Sequence, residues 1–464
     1  MKKLLLISLL AYCLSPLAHS QDVQRFAERS VMGTARYVGM GGAMTAIGGD
    51  PSAALDNPAG LGLYRNSEIS LTAAVNAQGS ILKIQVPQVT AIWSSGKDKQ
   101  KGLIYNNFLI SYNQLHSFHQ DIQLAGANLG MLPTICALTD GLNESSFNDD
   151  KIWDNTEIGW LSILGYDGYL IDPASDNRWT PAANLTKGRL SISETGAVNQ
   201  YTIAWSGNIS NQWYIGASIN IPTINYSKNI VHYESDGNNY AELNSTFSAS
   251  GVGINASVGF IGRPTEWLRL GVALHTPTVL SMSLHTEGLM YSKIANNEYE
   301  TYTPTGRTTS TCPTPLRTSI SIAGQWKNIG MLSVQYDYAH TMRDKQTKIS
   351  PMEDVHTLRA GLEAQVWAGW YINAGYVYES PFLKQDPVVG LDYNSIRTDI
   401  DYRYTQWKQY ASVGIGYRND LWLLTVAYQY GWQLLHQYAS ECQSNPIALK
   451  LENHYLNCTL GFRF

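Results

Sequence analysis

The last nine residues, "LNCTLGFRF", put Leu456, Cys458, Leu460, Phe462 and Phe464 on one face of an extended chain and Asn457, Thr459, Gly461 and Arg463 on the other. Successive side chains of a strand point to opposite faces, so this period of two defines a strand with one apolar and one polar or small face. Upstream, "HTLRAGLEAQVW" sends Leu358, Ala360, Leu362, Ala364 and Val366 one way and Arg359, Gly361, Glu363 and Gln365 the other. The stretches "WLRLGVALH", "RTSISIAGQW", "WLLTVAYQY", "SGVGINASVGF" and "QWYIGASIN" repeat the scheme. Such alternation specifies an all-β chain, but a sandwich and a closed barrel both produce it.

Connection lengths separate the two. Fourteen strands can be placed near 67–77, 81–94, 103–118, 189–207, 210–228, 244–261, 266–288, 315–327, 330–344, 355–367, 369–381, 407–418, 420–434 and 450–464. From the third onward, short connections ("GNISNQ", "GRPTE", "KNIG", "AG", "ND") alternate with long ones. That rhythm belongs to a transmembrane antiparallel outer-membrane β-barrel, with short periplasmic turns and long extracellular loops. Aromatics near strand ends on the apolar face (Trp205, Trp213, Trp370, Tyr376, Tyr378, Trp422, Tyr428, Tyr430, Phe462, Phe464) suit its two interfacial girdles.

Residues 1–20, "MKKLLLISLLAYCLSPLAHS", combine two lysines, an apolar run and a small-residue cleavage site, the pattern of a secretory signal peptide. Only 15% of the chain is charged, against roughly 25% in ordinary soluble chains, while 29 Tyr and 13 Trp are present. After the leader no apolar run is long enough for a membrane helix. A net charge of −5 speaks against nucleic acid as a partner. Cys136, Cys312, Cys442 and Cys458 show no ligand spacing, so neither a metal nor a redox centre is expected; Cys312 and Cys442 could pair or remain free thiols.

Residues 21–66 precede the first strand and are too rich in Gly and Ala for a strand, too rich in Ala, Met and Leu for a solvated tail. Short helical turns broken at Gly48-Gly49 and Pro51 fit them, with Asn57 capping a turn that Pro58 begins. Small residues permit close backbone packing in a narrow space, and the barrel lumen offers one. The expected organisation is therefore a leader (1–20), an N-terminal hatch or plug (21–66) and a 14-stranded barrel (67–464) whose largest loop is about 119–188.

The stretch "GTARYVGMGGAMTAIGGDPSAALDNPAGLGLY" resembles the hatch of the FadL-type outer-membrane transporters of long-chain fatty acids and other hydrophobic compounds, in which an Asn-Pro-Ala motif marks the plug. Asn57, Pro58 and Ala59 match that motif, followed by Gly60. "NQYTIAWSGNISNQWYIGASINIP" and "GLYRNSE" look more like a divergent branch labelled hemin receptors. The resemblance implies a hydrophobic small-molecule ligand, gating at Asn57–Gly60, and Phe464 as a signal to the barrel-assembly machinery. It also implies contact with outer-membrane lipid, a monomer, and a cell-surface position for the long loops. The 119–188 insertion is long for the fatty-acid branch.

Catalytic and cofactor patterns are weak. The glycines at 39–42 do not complete a dinucleotide fingerprint, since Met44 stands at its sixth position. His116 and His119, three apart, are expected on opposite faces of a strand. The acidic run "NDDKIWDNTE" (148–157) lacks calcium-loop spacing and reads as a solvated surface loop. No enzyme activity, cofactor or metal is expected. Arg269, Arg317, Asp337, Arg359, Glu363 and Arg463 take the inward, polar parity, where charged pairs would fill the lumen and pin the plug or line a path. The function expected is passive uptake of hydrophobic small molecules, fatty-acid-like or hemin. The alternative is an outer-membrane scaffold or secretion component that binds partner proteins through its loops.

Overall fold

The computed structural model describes residues 20–79, 81–96, 101–326, 329–341, 352–383 and 390–464. The expected leader lies outside them except for Ser20. So do the first two residues of the "KNIG" turn and residues 342–344 of the ninth expected strand.

Three short helices open the chain: α1 (Ser20–Ala27), α2 (Ala35–Gly39) and α3 (Ala53–Asp56), then a 3-10 turn over Pro58–Leu63. Fourteen antiparallel staves follow among the described residues. They are β1 (Glu68–Gln78), β2 (Ile81–Gly96), β3 with β4 (Leu103–Ser117, Gln120–Ala127), β7 (Lys187–Ile209), β8 (Trp213–Ser235), β9 (Tyr240–Gly262) and β10 with β11 (Leu268–His275, Val279–Ile294). The circle continues through β13 with β14 (Gly306–Pro313, Leu316–Trp326), β15 (Gly330–His340), β16 (Val355–Trp367), β17 (Trp370–Glu379), β18 (Tyr402–Arg418), β19 (Trp422–Tyr438) and β20 (Ile447–Arg463). The hairpin strand β12 (Asn297–Tyr302) extends β11. Pairing of β1 with β20, from Glu68 opposite Arg463 to Ala77 opposite His454, closes the barrel.

Burial decides what kind of barrel this is. Ile84 is 76% exposed and Ile203 61%, whereas Thr72, Gln335 and Thr425 are fully buried. Apolar side chains thus face outward and polar ones inward, the reverse of a sandwich core and the arrangement that a hydrocarbon solvent selects. Trp213, Trp370, Trp422, Phe462 and Phe464 gather at the end carrying short turns, where Trp213 stacks on Phe260 and Phe464 on Phe462. Trp205 and Tyr430, expected in the girdles, are half-buried by their neighbours.

The strand count matches the sequence reading; several boundaries do not. The third stave breaks at Phe118–His119 and resumes as β4, opposite Gly196, whose φ of +112° only glycine adopts readily. The eighth stave starts at Gly306, because β13 pairs with β11 from Val279 opposite Pro313 to Thr286 opposite Gly306.

The 119–188 insertion is a folded cap. It contains α4 (Met131–Thr139), α5 (Trp160–Asp167) and a hairpin of β5 (Ile171–Pro173) and β6 (Trp179–Pro181). Ile135, Leu161, Ile163, Leu164 and Trp179 form its core against Leu243 of β9 and Met290 of β11. The stretch 148–157 is not wholly solvated: Ile152 is buried in the cap and the Trp160 indole N–H donates to the Trp153 carbonyl at 3.3 Å. Apolar residues interleaved with the acidic ones outweighed the average polarity of that run.

Candidate functional site

The N-terminal segment runs through the lumen, and its middle is almost entirely buried. Gly48 and Gly49, at φ of +60° and +64°, turn the chain back so that the Gly49 N–H donates to the Gly60 carbonyl at 3.1 Å. Asn57 sits at the start of the 3-10 turn. Its side-chain oxygen accepts from the Ala59 N–H at 3.0 Å, while its amide donates to the Thr45 carbonyl at 2.8 Å and the Phe260 carbonyl at 3.3 Å. Pro58 supplies the fixed φ of a first helical position and lacks the N–H that would go unpaired there. The wall admits this backbone through glycine: a Cβ on Gly216 would meet the Pro58 carbonyl carbon at 2.4 Å.

Asp56, one residue before the motif, gathers the inward charges. The Tyr37 hydroxyl donates to it, and Arg317 and Arg359 approach at 3.1 and 3.4 Å. Burial works against its charge, but Arg359 and Arg317 outweigh burial and hold Asp56 below the usual carboxylate range. Arg359 also reaches Asp337 at 2.9 Å, and His275 contacts the Asp56 carbonyl at 2.8 Å. Elsewhere Arg36 meets Glu363 at 2.6 Å and Arg269 donates to the Ile47 carbonyl at 2.7 Å. Arg463 pairs with Glu68, between neighbouring staves, at 2.8 Å. Arg269, Arg317, Arg359 and Glu363 therefore touch the N-terminal segment directly, and Asp337 does so through Arg359.

At the long-loop end α1 crosses the lumen. Asp22 accepts from Arg25 at 2.9 Å and pairs with Arg397 at 2.5 Å; Arg397 also holds Asp399 at 2.6 Å. Lys228 of β8 bridges Asp399 and Asp401 at 2.5 and 2.6 Å. Burial opposes charge on Asp399, yet Arg397 and Lys228 keep its pKa far below the usual carboxylate range. Residues 390–401 belong to the cap as well: the Trp160 N–H donates to the Ser395 carbonyl at 2.9 Å, and Ile400 enters the cap core.

Two cavities flank α1, of about 120 and 80 Å³. His116 and His119 both line the smaller one, contrary to the opposite-face expectation, because the strand is interrupted between them. All four described cysteines are free, which leaves Cys312 and Cys442 unpaired, and no group of three metal-binding side chains occurs among the described residues. Asp56, Arg36, Asp22 and Arg397 escaped the sequence reading. A usable signal existed in the first two: ionic residues inside a Gly- and Ala-rich buried segment must find partners.

An inside-out barrel of fourteen staves filled by its own N-terminal segment is the fold of the FadL-type outer-membrane proteins. The toluene transporter TodX of P. putida superposes with a TM-score of 0.54 at 11% identity, over 94% of this chain and 99% of that one. The toluene transporter TbuX of Ralstonia pickettii gives 0.52 at 13%, over 93% and 98%, and a FadL homologue of Pseudomonas aeruginosa 0.53 at 11%, over 94% and 99%. At such identities the likeness is one of fold. No protein-family model and no curated protein sequence matches the chain.

Proposed function

We propose that the protein is a passive outer-membrane transporter of hydrophobic small molecules, with the short turns in the periplasm and the cap and long loops outside. The observation that carries this reading is the buried N-terminal segment, tethered to the wall by Asp56, Arg36 and Arg397, beside a cavity of about 120 Å³ whose lining mixes Phe26, Leu115, Leu280 and Phe382 with charged side chains. The ionic tethers add to an apolar seat in which Val31, Val38, Met40, Met44 and Ile47 pack on Ala323, Met331 and Val377 of the wall, and such tethers can be released by exchanging partners. The cap adds a groove of about 550 Å³ of mixed lining, with Leu132, Pro133, Pro181 and Leu185 beside Asn128, Asn184 and Glu234, a place where a ligand could be captured from water. Asn57, Pro58, Ala59 and Gly60 would be the gate, and the inward charges its tethers. Fatty-acid-like ligands fit that groove; hemin would need displacement of α1 to pass below it.

A second reading, a scaffold that binds partner proteins, draws on the same cap, which is a folded element with a core of Ile135, Leu161, Ile163 and Trp179 seated on the barrel. Uptake of labelled fatty acid and hemin into proteoliposomes, with small-ion conductance in planar bilayers, separates the two when wild type is compared with a chain lacking residues 21–60. Transport predicts ligand-specific flux that the deletion alters. Raised conductance with no flux of any hydrophobic ligand in either chain would favour the scaffold.

A further inference from the structure

The outward face of the wall changes character along its height on one side of the barrel. Ile221 of β8, Val252 of β9 and Val279 of β11, all exposed, close the continuous lipid-facing band on their staves. Above it Asn225, Ser250 and Ser283 stand in one cross-strand row, and Thr195, Ser227 and Ser248 in the next. No outward position from Asn225 to Asn229 on β8, or from Asn244 to Ser250 on β9, carries charge. None of the six side chains in the two rows takes a hydrogen bond among the described residues. Charge returns higher up, where Arg189 lies 5.1 Å over the Tyr233 ring, Tyr233 stacks on Tyr240, and Lys293 meets Glu298 at 3.5 Å. At its sides the neutral band ends at Asp121 of β4, which accepts from Ser193 at 2.6 Å, and at His285 of β11.

A boundary between hydrocarbon and water needs two zones, and this wall has three. Surfaces that face water usually carry about 25–35% charged residues. On the opposite arc there is no neutral band among the described residues: β16 and β17 end one residue beyond the outward His356 and Tyr378. Short hydroxyl and amide side chains on a rigid sheet offer hydrogen bonds with little rotamer entropy to lose and no charge to desolvate. Those properties suit a neutral, polyhydroxylated surface standing directly above the acyl chains.

We propose that the neutral band of β7, β8, β9 and β11 docks the sugar region of the outer-leaflet glycolipid, whose acyl chains lie on the apolar band below. Continuity with the lipid-facing wall selects this occupant, because a lipid seated there already holds its own headgroup at that height. The lack of lysine and arginine in the band directs the contact to neutral sugars rather than to phosphate. The orientation, with long loops outward, is that of the uptake reading, but transport is not required.

Titration of the full detergent-solubilised chain with fluorescent lipopolysaccharide that keeps its core sugars, and with lipid A, which lacks them, tests the contact. Lipopolysaccharide is expected to bind at least about 10-fold more tightly, since each added hydrogen bond contributes roughly 2- to 10-fold. Ser227→Leu with Ser248→Leu should abolish the preference, and Asn225→Ala with Ser250→Ala should reduce it. Glu300→Gln, in the charged zone, should leave it intact. Heat-modifiable mobility verifies folding, and the alanine pair decides if the leucine pair does not insert. Equal binding of the two lipids by wild type, or a preference that survives in both pairs, overturns the sugar contact. So does a wild-type dimer in lipid-free detergent that either pair separates, which would assign the face to a second copy. Flux of a labelled fatty acid into proteoliposomes is read on the same chains: the uptake reading fails on flux alone, and the sugar contact on the preference alone.

Discussion

The side-chain oxygen of Asn57 occupies the space that a Cβ on Gly259 would fill; the two atoms would stand 1.8 Å apart. The N-terminal segment is seated by the absence of a side chain in the wall as much as by hydrogen bonds. Gly259→Ala should therefore displace the Asn57 turn at a cost of about 1–3 kcal/mol, the usual range of overpacking. Bilayer conductance should rise while the barrel stays inserted. Gly461→Ala is the control, since its nearest neighbour, Leu423, lies at an ordinary 3.4 Å. Equal conductance of the two variants would show that the seat tolerates crowding.

Asn57→Ala opens no clash but removes the cap on Ala59 and the bond to the Thr45 carbonyl. A loss of about 1–2 kcal/mol is expected. It should appear as faster proteolysis within residues 40–66 with unchanged heat-modifiable mobility.

Arg397 ties a cap loop to α1 through Asp22, so the pair should couple cap and plug. In a double-mutant cycle with Arg397→Gln and Asp22→Asn, a coupling energy of about 1–3 kcal/mol is expected. Additive thermal destabilisation would mean that the two residues are adjacent without being linked.

Burial raises Glu441, in the β19–β20 loop, to about 7. A carboxyl whose folded pKa exceeds its unfolded value stabilises most below about pH 4.5, and that contribution is lost as pH rises through about 7. After allowance for its partial exposure, about 1–2 kcal/mol should disappear between pH 5 and 8. Melting of Glu441→Gln across that range should be flatter than wild type; parallel curves would place the pH dependence elsewhere.

Phe464 is exposed, stacks on Phe462, and exchanges backbone hydrogen bonds with Ser67. Phe464→Ser should lower the yield of inserted protein several-fold in cells and leave the melting of the purified barrel nearly unchanged. An unaltered yield would reduce Phe464 to a girdle aromatic.

Alternation in "HTLRAGLEAQVW" and "LNCTLGFRF" determined strands with one apolar face, because side-chain direction in an extended chain is a local property. Glycine spacing around Gly48-Gly49 and the Asn57-Pro58 pair determined a turn for the same reason. Alternation could not say which face meets solvent; closure of β1 on β20 decided that. Nor could it show that the 119–188 insertion folds as a cap, since its core borrows Leu243 and Met290 from distant staves. The pairings Asp56 with Arg317 and Arg359, Arg36 with Glu363, and Asp22 with Arg397 join residues 261 to 375 positions apart. Parity fixed that these wall charges share the polar face, which closure of the barrel turned inward. Which carboxylate each would meet depended on where the N-terminal segment lies in the lumen, and only the closed barrel sets that.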